Sequence, residues 1–142
     1  MKRVDSSPRV AQPPATPVLV YDGQCEFCIC QVERWREQTG NHIDYLPSDA
    51  PGISERFPEI PQSSFHESLQ LIDTDGCVYA GAYGAVKVLN ISEKNSWLLE
   101  LYEKSRMCSA LMEFGYRFVA RNREFLSRIS PCARRIKRCH RG

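Results

Sequence analysis

A chain of 142 residues is the size of one domain, and its 42% hydrophobic and 25% charged residues are an ordinary globular mixture. Its net charge of +2 at pH 7 is too small to indicate nucleic acid as the main partner. No apolar stretch approaches the ~18 residues that a transmembrane helix needs. We therefore expect no nucleic-acid partner and no stable insertion into a membrane.

The N-terminal segment predicts no folded structure. Residues 1–17, MKRVDSSPRVAQPPATP, contain four prolines and little apolar mass, which favours a disordered leader. They lack the apolar core of a secretory signal, although their basic residues leave an organelle-targeting peptide open. Seven cysteines, an odd number without an export signal, argue against a secreted disulfide framework. We therefore expect a cytoplasmic protein.

The ordered domain begins with a strand, a helix and a second strand. Val18–Tyr21 is a short apolar run that Asp22-Gly23 ends, which is typical of a buried strand and a tight turn. Apolar residues then recur with a helical period from residue 25 to about residue 38, and Gly40 offers a C-terminal stop. Alternation over residues 43–46 predicts the second strand.

The middle of the chain predicts one short helix and a hairpin. Four prolines between residues 47 and 66 leave room for only a short helix at residues 53–57. Two apolar runs, residues 69–73 and 77–80, flank Thr74-Asp75-Gly76, a sequence typical of a hairpin turn.

The rest of the chain is predicted to be helical, at residues 83–89, 96–104 and 109–129, the last range holding one or two helices. Ser130-Pro131 ends the helical part, so the domain is predicted to span residues 18–130, with a basic tail over residues 131–142. A βαβ unit followed by a ββα unit is the arrangement of the thioredoxin fold. We therefore predict an α/β protein, with a thioredoxin-like βαβ-ββα core and additional C-terminal helices.

The pair Cys25 and Cys28 is the strongest chemical signal in the sequence. A C-x-x-C pair directly after the first strand, opening the first helix, is typical of a redox site. Backbone N–H groups and the helix dipole favour a thiolate at Cys25, and Cys28 lies about one turn further along the same side. Because Cys28 also lies on the apolar stripe, we predict that Cys25 is the nucleophile and Cys28 the resolving thiol.

The same two cysteines are open to a different interpretation. A C-x-x-C pair can be half of a zinc site, but zinc normally needs two further ligands at close spacing. Cys30 lies on another face of the helix, and the other cluster, Cys132, Cys139 and His140, lacks a second C-x-x-C. A small metal-binding protein, or a thioredoxin-like binding module without turnover, remains the alternative hypothesis.

The motif region resembles a known family. The run from Asp22 to Cys28, DGQCEFC, is similar to the Asp-x-x-Cys-x-x-Cys signature of the DCC family of thiol-disulfide oxidoreductases. The hairpin at residues 71–78, the following Gly81-Ala82 and the late segment at residues 116–123 also resemble the family's pattern, in the same order. The resemblance covers about residues 18–130 and implies a thioredoxin-like fold and disulfide exchange.

Two features depart from thioredoxins proper. The residues between the cysteines are Glu26-Phe27. The charge of Glu26 opposes a thiolate next to it but is favourable at a helix N-terminus, so the sequence does not determine whether the redox potential rises or falls. Ser68 stands before the third strand, where thioredoxins carry a cis-proline. We therefore expect a substrate groove that differs in detail from theirs.

Three further features of the sequence have two interpretations each. Asp22 could relay a proton to or from Cys28, or it could be a turn-forming cap at the corner between strand and helix. His66 could line the groove, but we expect a surface loop. The group formed by Tyr116, Arg117, Arg121, Asn122 and Arg123 could bind an anion, but we expect a solvated, salt-bridged face.

The sequence thus predicts an enzyme that exchanges disulfides through a mixed-disulfide intermediate. Cys25, Cys28 and Asp22 are its predicted catalytic residues, and the chemistry requires no cofactor and no metal. The expected partners are a disulfide-containing protein or a small-thiol substrate, together with a reductant that the sequence does not identify.

Overall fold

A computed structural model of the chain describes residues 8–91 and 96–129. The strands are β1 (Val18–Tyr21), β2 (Asp44–Pro47), β3 (Gln70–Ile72) and β4 (Val78–Ala80). The helices are α1 (Glu26–Thr39), α2 (Ile53–Arg56), α3 (Gln62–Glu67), α4 (Gly81–Ile91), α5 (Ser96–Lys104), α6 (Arg106–Arg121) and α7 (Arg123–Ile129), and a 3-10 turn at Gly40–His42 follows α1.

The four strands form one mixed sheet in the order β2-β1-β3-β4. β1 pairs in parallel with β2, β3 runs antiparallel to β1, and β4 runs antiparallel to β3. A crossover through α1 joins the parallel pair, and a tight hairpin joins β3 to β4, with Gly76 at φ 86° in its turn. This is the predicted thioredoxin-like α/β arrangement, and the fold prediction is confirmed.

The sheet separates two apolar clusters because successive side chains of a strand point to opposite faces. On one face, Val18 and Val20 pack with Phe57 and Phe65 from the α2–α3 region. On the other face, Leu19 packs with residues from α1 and α4, among them Trp35. The helix α1 is therefore fixed against the sheet along its buried face, and its N-terminus lies where β1 ends.

Three helices differ from the sequence prediction, and one of them is α6, which begins at Arg106 and not at residue 109. The proline-rich stretch holds a second helix, α3, which the prediction missed because Pro61 lies just before the helix instead of inside it. Consequently His66 lies in a helix and not in the expected loop. Helix α4 begins two residues early, because Gly81 adopts φ 62° and turns the chain directly from β4 into the helix.

The leader contacts the sheet, so the expected disorder is wrong for residues 8–17. The Val78 amide donates to the Pro8 carbonyl at 2.9 Å, and the Val10 amide donates to the Gly76 carbonyl at 2.9 Å. Arg9 forms a β-bridge with Cys77, and Val10 is buried. β4 is an edge strand with backbone groups in need of partners, and this segment supplies them. Residues 1–7 and the tail at 131–142 lie outside the described residues.

Within residues 8–91 and 96–129, no helix is both long enough and apolar enough to cross a membrane.

Candidate active site

The corner between β1 and α1 is held by Asp22. Its carbonyl accepts a hydrogen bond from the Cys25 amide at 3.2 Å, and its Oδ1 accepts one from the Gln24 amide at 3.0 Å. A Cβ at Gly23 would lie 2.9 Å from Cβ of Pro47. This corner therefore requires glycine, because there is no space for a side chain. The turn thus places Cys25 at the N-cap of the helix.

Cys25 is the N-cap of α1, so the helix begins at Glu26, one residue later than the predicted start at Cys25. Its Sγ accepts a hydrogen bond from the Cys28 amide at 3.3 Å, and both thiols are free. The side-chain hydrogen bond from Cys28 lowers the pKa of Cys25 to about 6, helped by that amide and by Arg123 and opposed by burial. Cys25 is therefore largely a thiolate at neutral pH.

Cys28 has the opposite character. Its hydrogen bond to Cys25 and its burial, which is deeper than that of Cys25, raise its pKa well above the ordinary value. The negative charge on Cys25 adds to this effect, and Arg123 opposes it. The pair therefore shares one proton, which is held on Cys28.

Arg123 joins the site from the far end of the chain. Its Nη1 lies 3.7 Å from Sγ of Cys28 and 3.5 Å from Oδ2 of Asp22, and its Nη2 donates to the His66 carbonyl at 2.7 Å. Burial lowers the pKa of Arg123, but the two cysteines and Asp22 outweigh it and the net shift is upward. We expected a solvated, salt-bridged face for this cluster. Arg123 does form an ion pair, with Asp22, but its side chain is only 25% exposed, so the expected solvation is wrong for this residue.

The neighbouring arginines behave as expected, since Arg117 and Arg121 are exposed. Arg123 differs because α6 ends at Arg121, and Arg123 is the first residue of the next helix, α7. The sequence held a signal for it, because Arg123 lies in the late segment that resembles the DCC family. Helical periodicity by itself did not separate it from its neighbours.

The side chain of Asp22 is largely buried and contacts Arg123 and His66. Besides Arg123, its Oδ1 lies 3.7 Å from Nδ1 of His66, whose side chain is half exposed. The carboxylate therefore forms the turn and also anchors the guanidinium next to Cys28. These contacts support the structural interpretation of Asp22, while the proton-relay interpretation stays a prediction.

An apolar cavity of about 240 Å³ opens beside Cys28. Phe27 and Trp35 from α1 line it, together with Leu69, Tyr116 and Val119. The Tyr116 hydroxyl accepts a hydrogen bond from the Leu69 amide at 3.1 Å, which fixes α6 against the start of β3. Cys25 instead borders a polar pocket with Gln24, Glu26, Arg123, Glu124 and Arg128.

Ser68 stands before β3 with an extended backbone, and no cis peptide bond occurs in residues 8–91 and 96–129. The expected difference from thioredoxins at this position is therefore present in the structure. Among the same residues no group of three or more His, Cys, Asp or Glu side chains could hold a metal ion. The alternative ligands Cys132, Cys139 and His140 lie outside the described residues.

A thioredoxin-like sheet with a C-x-x-C pair at the start of its first helix is the architecture of the thiol-disulfide oxidoreductases. Within that class, the chain belongs to the DCC1-like thiol-disulfide oxidoreductase family, whose model matches residues 19–129. The family resemblance noted from the sequence is thus confirmed. No curated protein and no solved structure matches the chain.

Proposed function

We propose that the protein reduces disulfide bonds with the pair Cys25 and Cys28. The Cys25 thiolate attacks one sulfur of a substrate disulfide and forms a mixed disulfide, and the other substrate sulfur leaves as a thiolate that takes up a proton. Cys28 then loses its proton and attacks Sγ of Cys25. This step breaks the mixed disulfide, releases the second substrate thiol and leaves a Cys25–Cys28 disulfide, so two electrons have passed to the substrate.

The observation that carries this proposal is the hydrogen bonding within the pair, which makes Cys25 the thiolate and Cys28 the protonated thiol. The Cys28 amide and side chain stabilise negative charge on Cys25, while Cys28 keeps its proton. Once Cys25 is in a mixed disulfide, its negative charge is gone and it no longer opposes ionisation of Cys28. Arg123, 3.7 Å from Sγ of Cys28, then favours the second thiolate. The order of attack follows from this change.

The two pockets support a model in which each one binds a different part of the substrate. The polar pocket around Cys25 takes the reacting disulfide, and the apolar cavity beside Cys28 takes an apolar side chain next to the substrate cysteine. We propose a disulfide-containing protein or a small disulfide as substrate, with an external thiol reductant that regenerates the pair. No cofactor takes part in this chemistry.

Trapping of the intermediate tests the proposal. With a disulfide-bonded protein as substrate, Cys28→Ser is expected to accumulate a mixed disulfide through Cys25, because the resolving thiol is missing. Cys25→Ser is the matched control and is expected to form none. Equal trapping by both variants would contradict the assigned order of attack.

A second measurement separates turnover from the alternative binding or metal role. Reduced protein is expected to alkylate at Cys25 much faster than an ordinary thiol at pH 7, and to lose this reactivity on mild oxidation. Slow alkylation together with one equivalent of zinc in the purified protein would instead support the metal-binding hypothesis.

A further inference from the structure

Helix α6 presents an apolar stripe to solvent. Met107, Leu111, Phe114 and Phe118 follow one another at helical spacing, with exposed fractions of 72%, 64%, 72% and 62%. Residues at this spacing lie on one face of a helix. Large contiguous exposed apolar surface marks an interaction site in a soluble domain.

Contacts on the opposite side of α6 hold the helix in the orientation that exposes this stripe. The opposite side of α6 packs inward, with Ser109 buried and Tyr116 bound to the Leu69 amide. The Tyr102 hydroxyl of α5 donates to Glu113 of α6 at 2.7 Å. Helix α6 therefore cannot rotate to bury the stripe without losing these contacts. On α7, Phe125 and Ile129 are also exposed, at 60% and 51%.

The charge beside the stripe is positive. A residue turns the helix by about 100°, which places Arg121 and Arg117 on one flank of α6, next to the stripe. The acidic Glu113 lies on the same flank but further from the stripe around the helix axis. Both arginines are exposed. An apolar stripe flanked by two exposed arginines fits an anionic partner.

We propose that the exposed stripe of α6 and its two flanking arginines, Arg117 and Arg121, bind the surface of an anionic lipid bilayer. The phenylalanines enter the boundary between headgroups and acyl chains, and the arginines contact lipid phosphates. The chain lies on the bilayer and does not cross it. A second copy of the chain is a poorer occupant, because pairing two such faces brings together surfaces of like charge.

Vesicle co-sedimentation of the full chain tests the proposal. Vesicles of phosphatidylcholine with about a quarter of phosphatidylglycerol are expected to bind the protein, and pure phosphatidylcholine vesicles are expected to bind it at least about tenfold more weakly. Raising the salt from about 0.1 to 0.5 M is expected to release it, because salt screens the phosphates. Phe114→Ser with Phe118→Ser is expected to lower binding about tenfold or more.

Charge variants provide the matched control. Arg117→Gln with Arg121→Gln is expected to weaken binding about tenfold, whereas Arg34→Gln with Arg56→Gln, which removes the same charge on other helices, is expected to keep it. An unchanged alkylation rate of Cys25 shows that each variant is folded. Equal loss in both arginine pairs would overturn the proposal, since only net charge would then matter.

Self-association of the chain is a second outcome that would contradict the lipid proposal. No binding to anionic vesicles, together with a dimer in sedimentation velocity that Phe114→Ser with Phe118→Ser abolishes, would assign the stripe to a second copy of the chain. Failure of the lipid proposal in this way leaves the redox proposal intact, because the stripe contains none of the residues around the cysteine pair.

Discussion

Arg123 places its guanidinium 3.7 Å from Sγ of Cys28, across 95 residues of sequence. The same guanidinium contacts Asp22 and the His66 carbonyl, so three elements that are separate in sequence meet at one cation. A permanent positive charge in this position favours whichever cysteine is ionised. It therefore acts in both half-reactions of the proposed exchange.

Replacement of Arg123 by methionine keeps the length of the side chain but removes its charge. We expect the pKa of Cys25 to rise and its alkylation rate at pH 6 to fall roughly several-fold, since a rise of one pKa unit lowers the thiolate fraction at pH 6 from about one half to about one tenth. Arg123→Lys is expected to recover part of the rate, because it keeps the charge but loses the fork of contacts. The control, Arg121→Met, removes an exposed neighbour, and an equal loss there would contradict the role of Arg123.

The side chain of Cys28 is the largest influence on the pKa of Cys25, and two substitutions isolate it. Cys28→Ser keeps a hydroxyl donor and is expected to leave the Cys25 midpoint near 6, while Cys28→Ala removes the donor and is expected to raise it. The measurement is the pH dependence of iodoacetamide alkylation with Cys25 as the reporter. If the two variants give the same midpoint, the backbone amide is sufficient by itself.

Substitutions of Asp22 separate its two roles. Asp22→Asn keeps an oxygen for the Gln24 amide, whereas Asp22→Ala loses it and is expected to cost about 1 kcal/mol of folding free energy. A structural role predicts that resolution of the mixed disulfide slows less in the asparagine variant than in the alanine variant at neutral pH, because asparagine keeps the oxygen that accepts from the Gln24 amide. A proton-relay role predicts that it slows equally in both variants. Stopped-flow measurement of the second step decides between them.

Two glycines in helix interiors are expected to respond oppositely to alanine. A Cβ at Gly84 would lie 2.6 Å from the Tyr79 carbonyl, but a Cβ at Gly115 would meet nothing within 4 Å. Gly84→Ala is therefore expected to lower the free energy of unfolding by about 1–3 kcal/mol, and Gly115→Ala to raise it by about 0.5–1 kcal/mol. Urea denaturation measures both, and destabilisation by Gly115→Ala would show that α6 packs differently.

The stability of the reduced protein is expected to depend on pH through Cys25. The pKa of Cys25 falls from an ordinary 9.0 to about 6 on folding, so its contribution is full above pH 9 and is lost as the pH falls toward 6. The raised pKa of Cys28 acts in the opposite sense above pH 9. Unfolding of reduced wild type and Cys25→Ser between pH 6 and 9 measures the effect, and parallel curves would contradict it.

The sequence determined the elements whose signals are local. The apolar run Val18–Tyr21, the helical period after Cys25 and the Asp75-Gly76 turn each predicted the element that the structure contains. The position of the cysteine pair at the first helix start followed from the same evidence. Each of these patterns depends on residues within about one strand or a few helical turns of one another.

Tertiary structure decided what depends on distant contacts. The pairing of residues 8–10 with the sheet exists because β4 is an edge strand, which the composition of a proline-rich segment does not reveal. The partners of Arg123 exist because α7 packs against α1, and sequence periodicity gives no distance between those helices. The sequence thus located the reacting cysteine pair, while packing placed the cation beside it.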